Sequence, residues 1–195
     1  MYDVVIIGAG PAGLFSAYEL IEQNKKLKIA ILDRGFKVEK RFCPMNKKKI
    51  ECQNCNPCGI LSGYGGAGTF SDGKLNFIPK LGKSDLFKYK SRTEAYKLID
   101  DTEAIFTKFK MDSKVYPTNI DEANKLKEKV AKTGANLLLI KQKHLGSDHL
   151  PGYIDEITKY LEAKGIETYQ KCDVFDIQKD KNKYKIIYKE GKKEK

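Results

Sequence analysis

Val4-Val5-Ile6-Ile7-Gly8-Ala9-Gly10-Pro11-Ala12-Gly13-Leu14 is the stretch that decides the fold. Its first four residues are apolar and β-branched, the pattern of a strand buried on both faces. Gly8 to Gly13 read G-x-G-x-x-G. Leu14, Ala17, Tyr18 and Ile21 then fall on one face of a helix predicted from Pro11 to Gln23. A second strand is predicted over Leu27–Leu32. Strand, glycine turn, helix and strand within roughly 30 residues make the unit from which a mononucleotide-binding half is built.

The motif is weak alone and gains force from this context. Gly8 makes the tight turn, Gly10 lets a pyrophosphate approach the backbone, and Gly13 allows close packing of helix on strand. Pro11 and Ala12 open the helix, where free N–H groups and the positive end of the dipole favour an anion. Asp33 ends the second strand 20 residues after Gly13. An acid there bonds a ribose 2′-hydroxyl and disfavours a 2′-phosphate. Gly8, Gly10, Pro11, Ala12, Gly13, Asp33 and the adjacent Arg34 are therefore the candidate cofactor-binding residues. The competing reading is a glycine turn without a ligand and a surface aspartate. Elements and acid in register leave it little room. These residues specify an adenine dinucleotide and go no further.

The chain has 195 residues, 41% hydrophobic and 32% charged, as in a globular protein rather than a disordered one. No apolar run approaches the ~18 residues of a membrane-spanning helix. Met1-Tyr2-Asp3 enters the first strand without a basic leader, so the expected location is the cytoplasm, not a membrane. The formal charge is +11. Arg occurs only at 34, 41 and 92, and the lysines are scattered. A nucleic-acid site calls for Arg forks and aromatic platforms, so the charge reads mainly as a solvated surface. Five cysteines without a leader favour reduced thiols over a disulfide framework.

From Arg34 to Leu81 the pattern is irregular, yet too rich in Cys, Gly and aromatic residues for a linker. Ser91-Arg92-Thr93-Glu94 fits a capping box opening a helix that runs to Phe109. Helices are also predicted from Asp121 to Lys132 and from Pro151 to Gly165. Strands are predicted over Asn136–Ile140, Ile166–Ile177 and Lys183–Lys189, the last two joined by a turn at 179–182. The tail from Lys189 to Lys195 is expected to fray.

Two further stretches carry chemistry. Six glycines fall between 59 and 73, in a run that ends Gly65-Gly66-Ala67-Gly68-Thr69-Phe70-Ser71-Asp72-Gly73-Lys74-Leu75. Such density lets backbone approach a flat ligand or an anion, and Phe70, Leu75 and Phe77 argue against a loose surface loop. Cys52-x-x-Cys55-x-x-Cys58, with Cys43 upstream, has spacing suited to iron–sulfur or zinc ligation. The alternatives are thiols with incidental spacing or a redox-active pair. Cys172 reads as a core residue on a strand.

The stretch VVIIGAGPAGLFSAYEL…ILDRG resembles FAD-binding proteins of the glutathione-reductase type. With Gly65–Leu75 it resembles the NAD(FAD)-utilising FAD-dependent dehydrogenases over nearly the whole chain. An R-H-x-G-[ST]-D-like segment of that family is matched by Lys143-His144-Leu145-Gly146-Ser147-Asp148, with Lys replacing Arg. The resemblance implies FAD as cofactor and NAD(P)H as reductant. It places Gly66 and Ser71 near flavin or pyrophosphate and the Val174 backbone at the adenine. Lys74 and His144 are the candidate catalytic groups, His144 standing equally as a surface or core histidine. The implied fold class is α/β: a Rossmann-like three-layer FAD/NAD(P)-binding domain over 1–81 and 136–195, with a helical insertion over 82–135. The family continues with an A-T-G-like segment and a late Gly-Asp motif. The expectation is therefore an N-terminal portion of a flavin-dependent oxidoreductase, partnered by a C-terminal half or by self-association. Two other readings stay open: a non-catalytic nucleotide- or metal-binding fragment, and an RNA-associated flavoprotein.

Overall fold

In the computed structural model, which describes all residues except Ser147, Gly191, Lys192 and Lys195, Val4–Ile7 (β1) and Ile29–Leu32 (β2) pair in parallel. Their register runs from Val4 opposite Ile29 to Ile7 opposite Leu32. Glu167–Tyr169 (β8) joins β2 in parallel, giving the order β1-β2-β8. The middle strand is buried at all four residues, as its unbroken apolar sequence requires.

Two helices cover this sheet on one side. Pro11–Gln23 (α1) buries Leu14, Ala17, Tyr18 and Ile21, and packs beside Leu150–Ala163 (α5), which buries Ile154, Ile157 and Leu161. Each has a proline in its first turn, where the missing N–H costs no hydrogen bond. The other side of β2 is covered by an antiparallel sheet of Cys172–Asp180 (β9), Lys183–Glu190 (β10) and Lys193–Glu194 (β11), in the order β11-β10-β9. Ala30 and Leu32 pack there with Cys172, Val174, Ile186 and Tyr188. Side chains alternate along a strand, so Ile29 and Ile31 take the helical side. The result is the three-layer, Rossmann-like α/β arrangement that the sequence implied.

One strand differs from expectation. The predicted strand Ile166–Ile177 is two strands, broken at Gln170–Lys171. Lys171 takes φ 60° there, its N–H donates to the Gly35 carbonyl, and Cys172 N–H donates to the Asp33 carbonyl. The chain thereby leaves the parallel sheet for the antiparallel one. Hydrophobic pattern does not record such a step, because both strands are half apolar.

These elements belong to one compact unit, Met1–Ser71 with Asp148–Lys195; Asp72–Ser147 forms a second. The first unit also holds a short helix, Pro44–Lys48 (α2). In the second, Lys74–Phe77 (β3), Lys141–His144 (β7) and Val115–Tyr116 (β6) form an antiparallel sheet in the order β3-β7-β6. Lys80–Leu81 (β4) and Ser84–Asp85 (β5) make a small hairpin. Arg92–Lys108 (α3) starts at a capping box in which the Glu94 N–H donates to Ser91 Oγ and the Ser91 N–H to Glu94. Ile120–Ala131 (α4) is capped by Asn119.

The strand predicted at Asn136–Ile140 lies instead at Lys141–His144. Leu138 is exposed, whereas Lys143 is buried, its ammonium paired with Asp112 at 2.6 Å and Glu103 at 3.0 Å. Those ion pairs let a lysine occupy a core position, which inverts the expected pattern. Ser147, in the segment that resembles R-H-x-G-[ST]-D, lies outside the described residues, as does part of the tail expected to fray. Among the described residues no helix is long and apolar enough to cross a membrane.

Candidate dinucleotide-binding site

A cleft of about 390 Å³ opens at the C-terminal ends of β1 and β2, the place where parallel α/β sheets take ligands. It brings together Gly8, Gly10, Asp33, Arg34, Gly66 and Val174 of the residues singled out from sequence. Ile7, Leu32, Leu61, Ser62, Gly63, Cys172 and Asp173 complete it. Of these, Gly63 carries a sequence signal, because it belongs to the glycine run.

The glycines fit an anion. Gly8 sits at φ +98°, a conformation open to glycine at little cost. A Cβ built on Gly10 meets nothing within 4 Å, so this position faces open space that a ligand can fill. Gly13 differs: a Cβ there would lie 2.0 Å from the Gly8 carbonyl oxygen, so its hydrogen is what lets α1 approach the turn. No side chain caps α1 at its N-cap, Gly10. Pro11 and Ala12 lie in its first turn, whose N–H groups have no intrahelical partner.

Asp33 is 7% exposed. One carboxylate oxygen accepts from the Ala9 N–H at 2.8 Å and the other from the Gly35 N–H at 2.7 Å. The acid therefore fixes the glycine turn while lining the cleft, and a carboxylate oxygen can accept more than one hydrogen bond. Arg34 is held at the mouth by Asn56 Oδ1 at 2.6 Å and by Asp173 at 3.7 Å.

The glycine-rich loop forms the opposite wall. Gly65 N–H donates to the Ala9 carbonyl at 2.7 Å. Gly66 adopts φ +64°, and a Cβ there would stand 3.4 Å from Gly10 Cα and Pro11 Cδ. Tyr64 is fully buried and its hydroxyl donates to the Ile31 and Tyr169 carbonyls, both at 3.3 Å. Burial pushes that phenol well above its usual range. Arg41, 6% exposed, binds the same loop from behind. Sequence reading missed both. Arg41 lies in an irregular stretch, and an isolated arginine carries no pattern.

Ser71 does not line the cleft; its hydroxyl donates to the Gly68 carbonyl at 2.8 Å and closes a 3₁₀ turn over Ala67–Phe70. Lys74 and His144 lie in the second unit, directly opposite one another in the β3–β7 register, with Lys74 paired to Asp72 at 2.8 Å. Lys143 is committed to Glu103 and Asp112, so it stabilises that unit.

Cys43, Cys52, Cys55 and Cys58 are free thiols, and among the described residues no group of three His, Cys, Asp or Glu side chains is arranged to hold a metal ion. Cys55 and Cys58 border a small cleft with Phe36, Phe42 and Pro57. The Cys58 thiol is held below its usual range by backbone N–H groups of Leu61 and Ile60, with help from Arg41 against partial burial. Cys172 is buried.

Residues 3–41 match the family described as FAD binding domain. Over 71 residues the chain is 38% identical to an uncharacterized protein of Clostridium beijerinckii, covering 36% of this chain and 13% of that one. Its fold is similar to a 3-ketosteroid-Δ4-(5α)-dehydrogenase of Rhodococcus jostii, with TM-score 0.55 and 12% identity over 99% of this chain and 43% of that one. It is similar also to FrdA of E. coli quinol fumarate reductase, with TM-score 0.52 and 12% identity over 96% and 29% of the two chains. Glycine oxidase of Bacillus cereus aligns with TM-score 0.52 and 16% identity, over 98% and 54%. The chain thus spans about half the length of these relatives, or less. Its fold is that of FAD-binding oxidoreductases.

Proposed function

We propose that this chain supplies the FAD site of a flavin-dependent oxidoreductase. The observation that carries the reading is the open cradle at Gly10, facing Gly66 at the head of α1. The diphosphate would lie against the first-turn N–H groups of α1, where backbone and dipole favour negative charge. Asp33 would accept from the adenosine ribose while holding the Ala9 and Gly35 amides. The backbone around Val174, between Asp173 and the core, would border the adenine. Bound FAD would supply hydride or electron transfer, chemistry that belongs to the cofactor.

The finer reading is an NAD(FAD)-utilising dehydrogenase taking electrons from NAD(P)H. It is supported by the stretch from Gly65 to Leu75, whose backbone forms the second wall of the cleft at Gly66. Lys74 and His144 are our candidates for acid–base work on the substrate, because β3 and β7 present them side by side. The visible spectrum of the purified protein, before and after FAD is added and excess removed, tests this reading. Retained flavin bands support it. Protein that is colourless once the excess FAD has been removed contradicts it.

A further inference from the structure

We infer that Arg41 is a positioning residue for the diphosphate part of the cleft: it turns the carbonyl groups of the glycine-rich wall away from the ligand. The inference rests on the dinucleotide reading above. Arg41 is buried, and its guanidinium binds backbone almost exclusively. Nη1 donates to Tyr64 O at 2.7 Å, Gly66 O at 2.9 Å and Thr69 Oγ1 at 3.0 Å. Nε donates to Gly59 O at 3.0 Å, and Nη2 donates to Ile60 O. Among the described residues no carboxylate forms an ion pair with it. Burial lowers its pKa, opposed by Asp33 and Cys58.

A trans peptide points its C=O and N–H in opposite directions. Where Arg41 draws in the Tyr64 carbonyl, the N–H of the same peptide, on Gly65, faces outward to the Ala9 carbonyl at 2.7 Å. Where it draws in the Gly66 carbonyl, the N–H of Ala67 is turned outward likewise. Gly66 lines the cleft. The Gly65 and Gly66 amides are taken by the Ala9 and Gly63 carbonyls, so an anion beside this wall meets the Ala67 amide, with the Tyr64 and Gly66 carbonyl oxygens turned away to Arg41. A Cβ on Gly63 would lie 2.4 Å from the Phe36 carbonyl oxygen and 2.7 Å from Arg41 Cδ, so the glycine leaves room for both backbone and the Arg41 side chain. Lysine cannot replace the fork, because one ammonium lacks the planar set of donors that reaches so many carbonyls.

The test compares adenosine, ADP and FAD binding to the full chain as wild type, Arg41→Lys and Thr69→Val, using ligand-observed NMR and calorimetry. Thr69→Val, at similar side-chain size, removes one acceptor of the guanidinium and the hydroxyl's own donation to the Gly66 carbonyl at 3.0 Å; it loosens the same carbonyl while keeping Arg41, so the inference stays testable if Arg41→Lys fails to fold. The expected result is ADP and FAD binding weakened at least about tenfold in Arg41→Lys, on the scale of charged hydrogen bonds. Thr69→Val should show a smaller loss, and adenosine, which has no phosphate, should bind both variants as it binds wild type. Unchanged ADP affinity in the folded variants would overturn the inference. So would equal losses for ADP and adenosine, which would mark Arg41 as a support of the whole cleft. A wild type that binds none of the three removes the dinucleotide site itself, and this role with it.

Discussion

Gly66 faces Gly10: a Cβ on the first would stand 3.4 Å from the Cα of the second. Two glycine motifs separated by more than fifty residues thus meet as the walls of one cleft. The first is the head of α1. The second is a loop locked by Arg41 beneath it and by the Gly65–Ala9 hydrogen bond beside it.

Gly10 and Gly13 should respond differently to added side chains. Gly10→Val adds atoms to open space, so the melting temperature should change little while FAD binding is lost. Gly13→Val drives a Cβ into the Gly8 carbonyl, and should cost about 1–3 kcal/mol or more of stability. Thermal melts alongside FAD titrations separate the two. Equal destabilisation by both would contradict the geometry.

Asp33→Ala removes an acceptor from both the Ala9 and Gly35 amides. The expected loss is about 2–4 kcal/mol of stability, from two hydrogen bonds to a charged group. At a temperature where the variant remains folded, FAD should bind more weakly by about 1–3 kcal/mol. Urea unfolding and FAD titration measure the two terms. A variant as stable as wild type would mean that the carboxylate does not hold the turn.

Lys143 makes the second unit sensitive to pH at both extremes. Hydrogen bonding to Lys143 holds Asp112 below the usual carboxylate range, and Lys141 and Lys143 together hold Glu103 below it despite burial. Both carboxylates stabilise the fold above their unfolded pKa values, about 4, and lose that contribution as pH falls through the depressed folded values. Lys143 is raised overall, burial being outweighed by Asp112 and Glu103. Its contribution is complete below the ordinary lysine value, about 10.4, and fades as pH rises through the higher folded one. Wild type should therefore be more stable than Lys143→Met at neutral pH, where Lys143→Met leaves the Glu103 carboxylate without its buried partner, with the gap narrowing in acid and in alkali. Chemical denaturation across pH gives this gap; a gap that stays constant down to strong acid contradicts the assignment.

Cys58 should be the first thiol to react. Ile60 and Leu61 amides stabilise its thiolate, although Cys52 and Cys55 are more exposed. Limiting iodoacetamide at neutral pH followed by peptide mass spectrometry ranks the sites. Prior labelling of Cys52 or Cys55 would show that exposure outweighs the local field.

The order of elements in the first thirty residues was legible because local order, glycine chemistry and apolar period agree there, but burial was not: β1, read as buried on both faces, is half-buried with Ile7 exposed, and β2 starts at Ile29 rather than Leu27. Val4–Leu32 needs no distant partner to declare itself. The second cleft wall was legible as composition, not as geometry: nothing in Gly63–Gly66 states which carbonyls Arg41 will claim. Ser71 was singled out by the family resemblance alone; its hydroxyl closes a turn with Gly68 and the residue is not in the cleft lining. Lys143 shows the reverse limit. A charged residue becomes a core residue once Asp112 and Glu103, far away in sequence, arrive to pair with it.

The central claim is tested most directly by calorimetric titration of the wild-type chain with FAD, with Gly10→Val as the control. The account predicts saturable binding at one FAD per chain in wild type and none in a Gly10→Val variant that melts like wild type. Absence of binding to wild type, or equal binding to both proteins, would contradict it.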